Sequence, residues 1–279
     1  MLKYYRKNII LFYILCTAAL ISAVFADLKL DILLNAPENA FAVWFYNTGE
    51  IPCRLICPLA GTVLLYCCSS KIMRFIGTCV ALGGSVYFGY YFGGHFFAEE
   101  NNLIFSIVFG SGFGLALIFL FRFIQIPEKI KKPLAALAIA GIAVMAVQLS
   151  AVEAMKYLWG RVRFRDLLAA GNYDAFTPWY VINGINGNKS FPSGHTAGAA
   201  MSFLAMLLPY VSEKAQKHKQ LCFYIPFVYT CIVAVTRLVM GAHYLSDVAM
   251  GGAIGLLTVI IAMAVLDKKL PDRQLKYNA

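Results

Sequence analysis

The chain has 279 residues, of which 60% are hydrophobic and only 14% are charged, and its mean hydropathy is +0.69. Soluble domains carry about 25% charged residues, so this composition excludes an ordinary soluble protein and indicates an integral membrane protein built as one helical bundle. A net charge of +10 would favour nucleic acid as a partner of a soluble protein. Here the basic residues cluster between apolar runs, as they do on the cytoplasmic side of membrane proteins, and we expect no nucleic acid partner.

Eight apolar runs are candidate membrane-spanning helices, and we expect between six and eight of them to span. They are the runs 9–26, 54–69, 75–97, 103–123, 134–156, 196–211, 221–237 and 245–266. The first run follows Lys3, Arg6 and Lys7, as in a signal peptide, but it is nearly long enough to span and no small-residue cleavage site follows it. The predicted fold is therefore all-α, a polytopic transmembrane helical bundle that retains its first helix.

Loop charges predict how the helices are oriented, because cytoplasmic loops of membrane proteins carry an excess of Lys and Arg. Sixteen of the 24 basic residues fall in the two terminal segments and in every second loop, and this set includes Arg273 and Lys276. The loops between them carry acidic residues: Asp27, Asp31, Glu38, Glu50, Glu99 and Glu100. We therefore expect both termini in the cytoplasm and the acidic loops on the outer face.

The cysteines do not predict a metal site. Most of the eight lie inside apolar runs, where a cysteine acts as a small hydrophobic residue. No CxxC pair or Cys/His set has the spacing of a zinc site. We expect neither a metal nor another cofactor.

Eight basic residues fall outside the cytoplasmic set, and five of them lie in two short segments of the predicted outer face, 156–165 and 236–247. Lys189 lies between these segments in the sequence. Positive charge on the outer face opposes the usual rule for membrane proteins. It indicates that an anionic group is bound there.

The segment between the two basic ones is the polar pentad Phe191-Pro192-Ser193-Gly194-His195, directly before an apolar run. Proline and glycine indicate a loop that ends at a helix N-terminus, and Ser193 is a suitable cap for that helix. The free backbone N–H groups of a helix N-terminus attract anions. We expect His195 in the first turn, beside such a site.

The last segment contains Arg237, His243 and Asp247. The spacing of His243 and Asp247, i and i+4, predicts that they share one face of a helix and form a hydrogen bond. A carboxylate that holds one imidazole nitrogen leaves the other free to attack a substrate. Arg237 offers a planar fork for phosphate.

Together the three segments contain what phosphoryl transfer through a histidine requires: a nucleophile, an acid for the leaving group, and positive charge for the phosphate oxygens. The residues alone leave open which histidine attacks, although the Asp247 spacing favours His243. Each segment has a simpler explanation on its own, such as a helix cap or a structural hydrogen bond. The full set does not, because several charges at membrane depth are costly without a function.

The three segments resemble the signature of the type 2 phosphatidic acid phosphatase (PAP2) family, a superfamily shared with vanadium haloperoxidases. The family pattern is K-x6-R-P, then P-S-G-H, then S-R-x5-H-x3-D. This chain has Lys156-x6-Arg163, then Pro192 to His195, then Arg237-x5-His243-x3-Asp247. It departs from the pattern at Phe164 in place of proline and at Thr236 in place of serine, and neither change removes a charged or catalytic group.

The motifs span residues 156–247, and the resemblance covers roughly the C-terminal half of the chain. It implies a role for each matching residue. It implies that His243 is the nucleophile, which forms a phosphohistidine, that Asp247 orients it, and that His195 is the acid for the leaving group. It further implies a set of phosphate-binding residues: Lys156, Arg163, Ser193, Gly194 and Arg237. The neighbouring Arg161 and Arg165 are candidates for contact with a lipid headgroup. We expect N-terminal transmembrane helices over 1–132 and a catalytic core like that of the family over 133–279, in one integrated membrane domain.

We therefore expect a membrane phosphatase that hydrolyses a phosphomonoester or pyrophosphate of a lipid at the outer membrane face. The family implies undecaprenyl pyrophosphate, phosphatidylglycerol phosphate, phosphatidic acid or a phosphorylated lipid A as substrate. One alternative is a haloperoxidase-like enzyme that holds vanadate in the same pocket, which the spanning helices disfavour. Another is a non-enzymatic transporter or lipid-binding protein, which the intact His195, His243 and Asp247 disfavour.

Overall fold

The structure is a computed structural model that describes residues 1–96 and 102–270, and these residues form helices and no strand. Glu99, Glu100, Arg273 and Lys276 of the predicted loop charges lie outside the described residues. The helices are α1 (Leu2–Leu34), α2 (Ala40–Thr48), α3 (Ile51–Arg54), α4 (Ile56–Cys67), α5 (Lys71–Phe96), α6 (Asn102–Phe121), α7 (Glu128–Trp159), α8 (Phe164–Ala170), α9 (Gly194–Ala200), α10 (Glu213–Lys217), α11 (Leu221–Val239) and α12 (Leu245–Lys269). A 3₁₀ helix, Met201–Tyr210, directly follows α9.

Seven helical segments of the described chain are long and apolar enough to cross a membrane. They are Leu2–Leu34, Ala40–Cys67, Lys71–His95, Leu103–Phe121, Glu128–Ala170, Leu221–Val239 and Leu245–Lys269. The chain is a multi-pass, all-helical membrane protein, and seven falls inside the predicted range of six to eight. The predicted run 196–211 is not among the seven, because the chain there forms the short α9 followed by 3₁₀ turns.

The first acidic region differs from the loop that the charge pattern predicts. Helix α1 continues past residue 26 to Leu34, and α2 forms only five residues later. Asn39 caps α2 by accepting a hydrogen bond from the N–H of Ala42. As a result, Asp27 and Asp31 lie on a helix, where both are buried, and Glu50 is the second residue after the end of α2.

The chain divides into two compact units, each made of separate sequence segments. The first unit contains residues 1–50, 146–205 and 220–261, and so includes every residue of the predicted site. Inside it, the buried Gln148 of α7 donates a hydrogen bond of 2.5 Å to the carbonyl of Ala197 in α9. Thr258 of α12 donates to the same glutamine side chain, which therefore joins three helices beneath the pentad.

Of the described residues, the second unit contains 51–96, 102–145, 206–219 and 262–270. Its core is apolar and lies around Ala60, Leu64, Ala135 and Ala138. The hydroxyl of Tyr66 donates a hydrogen bond of 2.8 Å to the carbonyl of Ile118, which ties α4 to α6. None of the predicted site residues lies in this unit.

Candidate active site

The pentad forms the helix start that its sequence predicts. Ser193 is the N-cap of α9, and its side chain accepts a hydrogen bond from the N–H of Thr196. The backbone N–H of Ser193 donates to the carbonyl of Asp247 at 2.9 Å, which joins the pentad to the start of α12. Gly251 permits this close approach, since a Cβ there would lie only 2.4 Å from the carbonyl oxygen of Ser193.

His243 and Asp247 lie together, but not on one helix as predicted. Helix α12 begins at Leu245, so His243 belongs to the turn before it and Asp247 to its first turn. One oxygen of Asp247 accepts a 3.0 Å hydrogen bond from the N–H of Tyr244, as an acidic residue does in a capping box. The same oxygen, Oδ2, lies 3.5 Å from Nδ1 of His243, a distance at the outer limit of a hydrogen bond.

The Asp247 carboxylate is fixed by two further groups. Ser190 donates its hydroxyl to Oδ2 at 2.5 Å, and Arg161 donates Nη1 to Oδ1 at 2.7 Å. Because every oxygen of this buried carboxylate has a partner, its orientation toward His243 is set by the fold.

Arg161, a candidate for contact with a lipid headgroup, is instead buried inside the protein. Its side chain is 0% exposed and pairs with two carboxylates, those of Asp247 and of Asp27 on α1, the latter at 2.9 Å. Its Nε donates to the carbonyl of Thr177, and its guanidinium lies 4.0 Å from the centre of the Tyr244 ring. With all these partners inside the protein, Arg161 anchors Asp247 and has no surface to offer a headgroup.

Arg165, the other candidate for headgroup contact, is exposed and lies at the start of α8. Its nearest ionic partner is Asp166, at 3.8 Å, with both side chains about half exposed. Headgroup contact by Arg165 stays a proposal that this position permits.

The three positively charged candidates for phosphate binding lie on different elements of the fold. Lys156 lies in the last turn of α7, and a Cβ on Gly194 would lie 3.0 Å from its Nζ. Arg163 is half-buried in the segment between α7 and α8, and Arg237 is fully buried in the last turn of α11. Lys156 pairs with Glu153 of its own helix at 2.6 Å.

The surroundings of His243 favour its neutral, nucleophilic form. Burial, together with the positive charges of Arg163 and Lys156, lowers the pKa of His243 to about 4, although Asp247 acts in the opposite direction. An imidazole with this pKa carries no proton on its attacking nitrogen near neutral pH. The site therefore contains an unprotonated imidazole next to cations.

His195 is in contact with two residues that its sequence motif does not include, Glu50 and Tyr46. Its Nδ1 lies 3.2 Å from a carboxylate oxygen of Glu50, and its ring stacks on that of Tyr46 at 5.6 Å and 16°. Both partners come from α2 and the residue pair after it.

The site also contains four residues that the sequence patterns do not indicate: Asp27, Tyr46, Glu50 and Ser190. The charge pattern places Asp27 and Glu50 only in the acidic outer region. One signal pointed to Asp27, because a carboxylate at the end of an apolar run needs a partner at membrane depth. Within residues 1–96 and 102–270, no group of three or more His, Cys, Asp or Glu side chains is arranged to hold a metal ion.

Comparison with known proteins adds the context of a family. The model of the PAP2 superfamily matches residues 132–271, which are half of the chain. Phosphatidylglycerophosphatase B of Bacillus subtilis (strain 168) is 34% identical over 91 residues, which cover 30% of this chain and 43% of that relative. The chain thus matches less than half the length of this curated relative. Among solved structures, the first transmembrane PAP2 type phosphatidylglycerolphosphate phosphatase from Bacillus subtilis is 19% identical with a TM-score of 0.37, over 89% of this chain and 96% of that one. The residues matched by the family model include all three sequence segments of the site. The chain therefore belongs to the PAP2 superfamily.

Proposed function

We propose that the protein is a membrane lipid phosphatase that acts through a phosphohistidine on His243. The observation that carries this proposal is a buried, neutral imidazole held by Asp247 and flanked by the charges of Lys156 and Arg163. A nucleophile with a carboxylate behind it and cations around it is suited to attack on a phosphate.

The reaction proceeds in two displacements. In the first, Nε2 of His243 attacks phosphorus, the bond from phosphorus to the lipid oxygen breaks, and that oxygen takes a proton from His195. In the second, His195 takes a proton from water, the resulting hydroxide attacks phosphorus, and the phosphorus–nitrogen bond breaks to release inorganic phosphate. Lys156, Arg163 and Arg237 hold the phosphate oxygens in both steps, together with Ser193 and the N–H of Gly194.

A lipid is the substrate class that the surroundings of the site favour. An apolar cavity of about 160 Å³ lies among α1, α11 and α12, and its wall includes Thr196 and Leu245, which adjoin the two histidine segments. A hydrocarbon chain in this cavity would leave its phosphate at the helix ends where the basic residues lie. The name of the bacterial relative makes phosphatidylglycerol phosphate the first substrate to assay, ahead of undecaprenyl pyrophosphate, phosphatidic acid and a phosphorylated lipid A.

An assay of purified protein in detergent tests this proposal. We expect release of inorganic phosphate from at least one of these four lipid phosphates, with a chelator present and no metal added. Vanadate should inhibit the release, because it mimics phosphate in the pocket. Absence of turnover on the whole panel, or oxidation of bromide in the presence of vanadate, would contradict the proposal and favour a binding protein or a haloperoxidase-like enzyme.

We also propose that the site faces the periplasm or cell exterior and that both termini are cytoplasmic. This orientation requires an eighth crossing in addition to the seven long helices, and we assign it to α9 together with the 3₁₀ helix that follows it. The basic connections between spans support this orientation. One of them contains the short helix α10, whose Lys214 and Lys217 are exposed. The segments that form the site also carry basic residues. We attribute these to a bound anion and not to the excess of positive charge on the cytoplasmic side.

Cysteine labelling of intact cells tests the orientation. Ile185, in the loop before the pentad, is 81% exposed, so Ile185→Cys places a thiol at the surface without removing a packed side chain. We expect a membrane-impermeant maleimide to label it from outside, above the background of the native cysteines. Lys214→Cys is the matched control for the other face and should react only after permeabilisation. The reverse pattern would invert the orientation.

A further inference from the structure

The general acid of the proposed reaction is held by a helix outside the region that the family model matches. Helix α2 and the two residues after it cover 40–50, whereas the family match begins at residue 132. Glu50 is only 8% exposed, and its carboxylate lies 3.2 Å from Nδ1 of His195. A buried carboxylate this close to an imidazole restricts both the tautomer and the orientation of the ring.

Tyr46 connects the same histidine to the phosphate-binding cations. Its ring stacks on the imidazole of His195 with an interplanar angle of 16°, and the guanidinium of Arg237 lies 5.3 Å from its centre. Arg163 is also close enough to interact electrostatically with Tyr46. A single ring from α2 thus contacts both the proposed proton donor and a proposed phosphate ligand.

The end of α2 is fixed firmly enough to position these groups. The hydroxyl of Tyr229 on α11 lies within hydrogen-bond distance of two carbonyls at the end of α2, Thr48 at 3.3 Å and Gly49 at 3.1 Å. The rings of Phe45 and Tyr229 are in contact at 6.1 Å. Glu50 follows these anchored residues directly, so its carboxylate is presented by a constrained backbone and not by a free loop.

We propose that Glu50 is a positioning residue for the general acid His195, with Tyr46 holding the plane of the ring; this inference rests on the proposed phosphatase function. Glu50 accepts a hydrogen bond from Nδ1 of His195 throughout the reaction. That bond leaves Nε2 as the nitrogen that gives its proton to the lipid oxygen and later takes one from water. The negative charge of Glu50 offsets the positive charge that His195 carries before it donates.

This proposal predicts an effect that depends on the leaving group. The oxygen of a lipid alcohol leaves poorly without a proton, whereas p-nitrophenolate leaves well without one. Glu50→Leu removes both the hydrogen bond and the charge, and Glu50→Gln removes only the charge. We expect Glu50→Leu to lower kcat/KM on the lipid phosphate about 10²-fold and kcat/KM on p-nitrophenyl phosphate less than about threefold, with Glu50→Gln between Glu50→Leu and the unchanged protein. The ratio kcat/KM reports the first displacement, whereas kcat also contains the second, in which His195 is the base for both substrates.

Two comparisons make the experiment decisive. Glu38→Gln is the matched control, because Glu38 is an exposed carboxylate just before α2, and it should change neither rate. Tyr46→Leu should reproduce the selective loss on the lipid substrate, and Tyr46→Phe, which keeps the ring, should restore it. Thermal unfolding of each variant in detergent shows whether the protein remains folded.

The outcomes distinguish failure of this inference from failure of the proposed phosphatase function. A selective loss on the lipid substrate in Glu50→Gln or Glu50→Leu supports the inference. Equal losses of kcat/KM on both substrates, or no loss, contradict this inference and leave the phosphatase proposal standing. If the unchanged protein turns over no lipid phosphate at all, the proposed function is wrong and this inference is wrong with it.

Discussion

His243→Ala is expected to abolish turnover of lipid phosphate, with kcat lowered by about 10⁴-fold or more, because removal of a covalent nucleophile leaves only binding and electrostatic contributions. The loss should appear equally on a lipid phosphate and on p-nitrophenyl phosphate, since both need the same attack on phosphorus. His218→Ala is the matched control, because His218 is an exposed histidine at the end of α10, and it should retain full activity.

Trapping of the intermediate decides which histidine attacks. With p-nitrophenyl phosphate labelled at phosphorus and an alkaline quench, the unchanged protein should carry label on a histidine. The label should accumulate in His195→Ala, which can form the phosphohistidine from this substrate but hydrolyses it slowly without its base. No label should form in His243→Ala. Label in His243→Ala together with none in His195→Ala would exchange the two roles.

Arg161→Met is expected to have the largest effect on stability, with a loss of roughly 3–5 kcal/mol in the free energy of unfolding. The change leaves the carboxylates of Asp27 and Asp247 buried without the guanidinium that pairs with both. Activity should fall with stability, because Arg161 also sets the orientation of Asp247 behind the nucleophile. Unfolding in detergent, followed by helical circular dichroism, measures the first effect.

Arg165→Met is the matched control for Arg161→Met. It replaces the same residue type four positions along the chain, but there the side chain is exposed and its partner Asp166 is 3.8 Å away. Exposed pairs of this kind contribute at most about 1 kcal/mol, so the control should unfold nearly as the unchanged protein does. Equal stability of the two variants would show that the buried Arg161 cluster does not hold α1 to the site.

The N-terminal region, which lies outside the family match, contributes side chains to the site. Asp27 of α1 reaches Arg161 and Ser246, and Glu50 after α2 reaches His195. Both acidic residues lie before the family match, which begins at residue 132. The first fifty residues therefore do more than cross the membrane, because they supply carboxylates to the side chains behind the proposed chemistry.

The sequence alone determined the class of the protein and its family. Composition and apolar runs exclude a soluble protein, because about twenty apolar residues in a row are stable as a helix in lipid whatever their neighbours are. The spacings Lys156-x6-Arg163 and His243-x3-Asp247 are local, so they can be read along the chain without a structure. The same holds for Ser193, whose role as a helix cap depends only on the few residues that follow it.

Only the tertiary structure decided which groups orient the two histidines. Arg161 and Asp27 are 134 positions apart, and no spacing rule connects residues so distant in the chain. From the sequence, Arg161 is a loop charge and a candidate for headgroup contact, and Glu50 is a charge of an acidic loop, because sequence shows the sign of a charge but not its burial. Burial reverses both interpretations, since a charge removed from water must find a partner inside the protein. Those partners, Asp247 and His195, are the residues on which the proposed reaction depends.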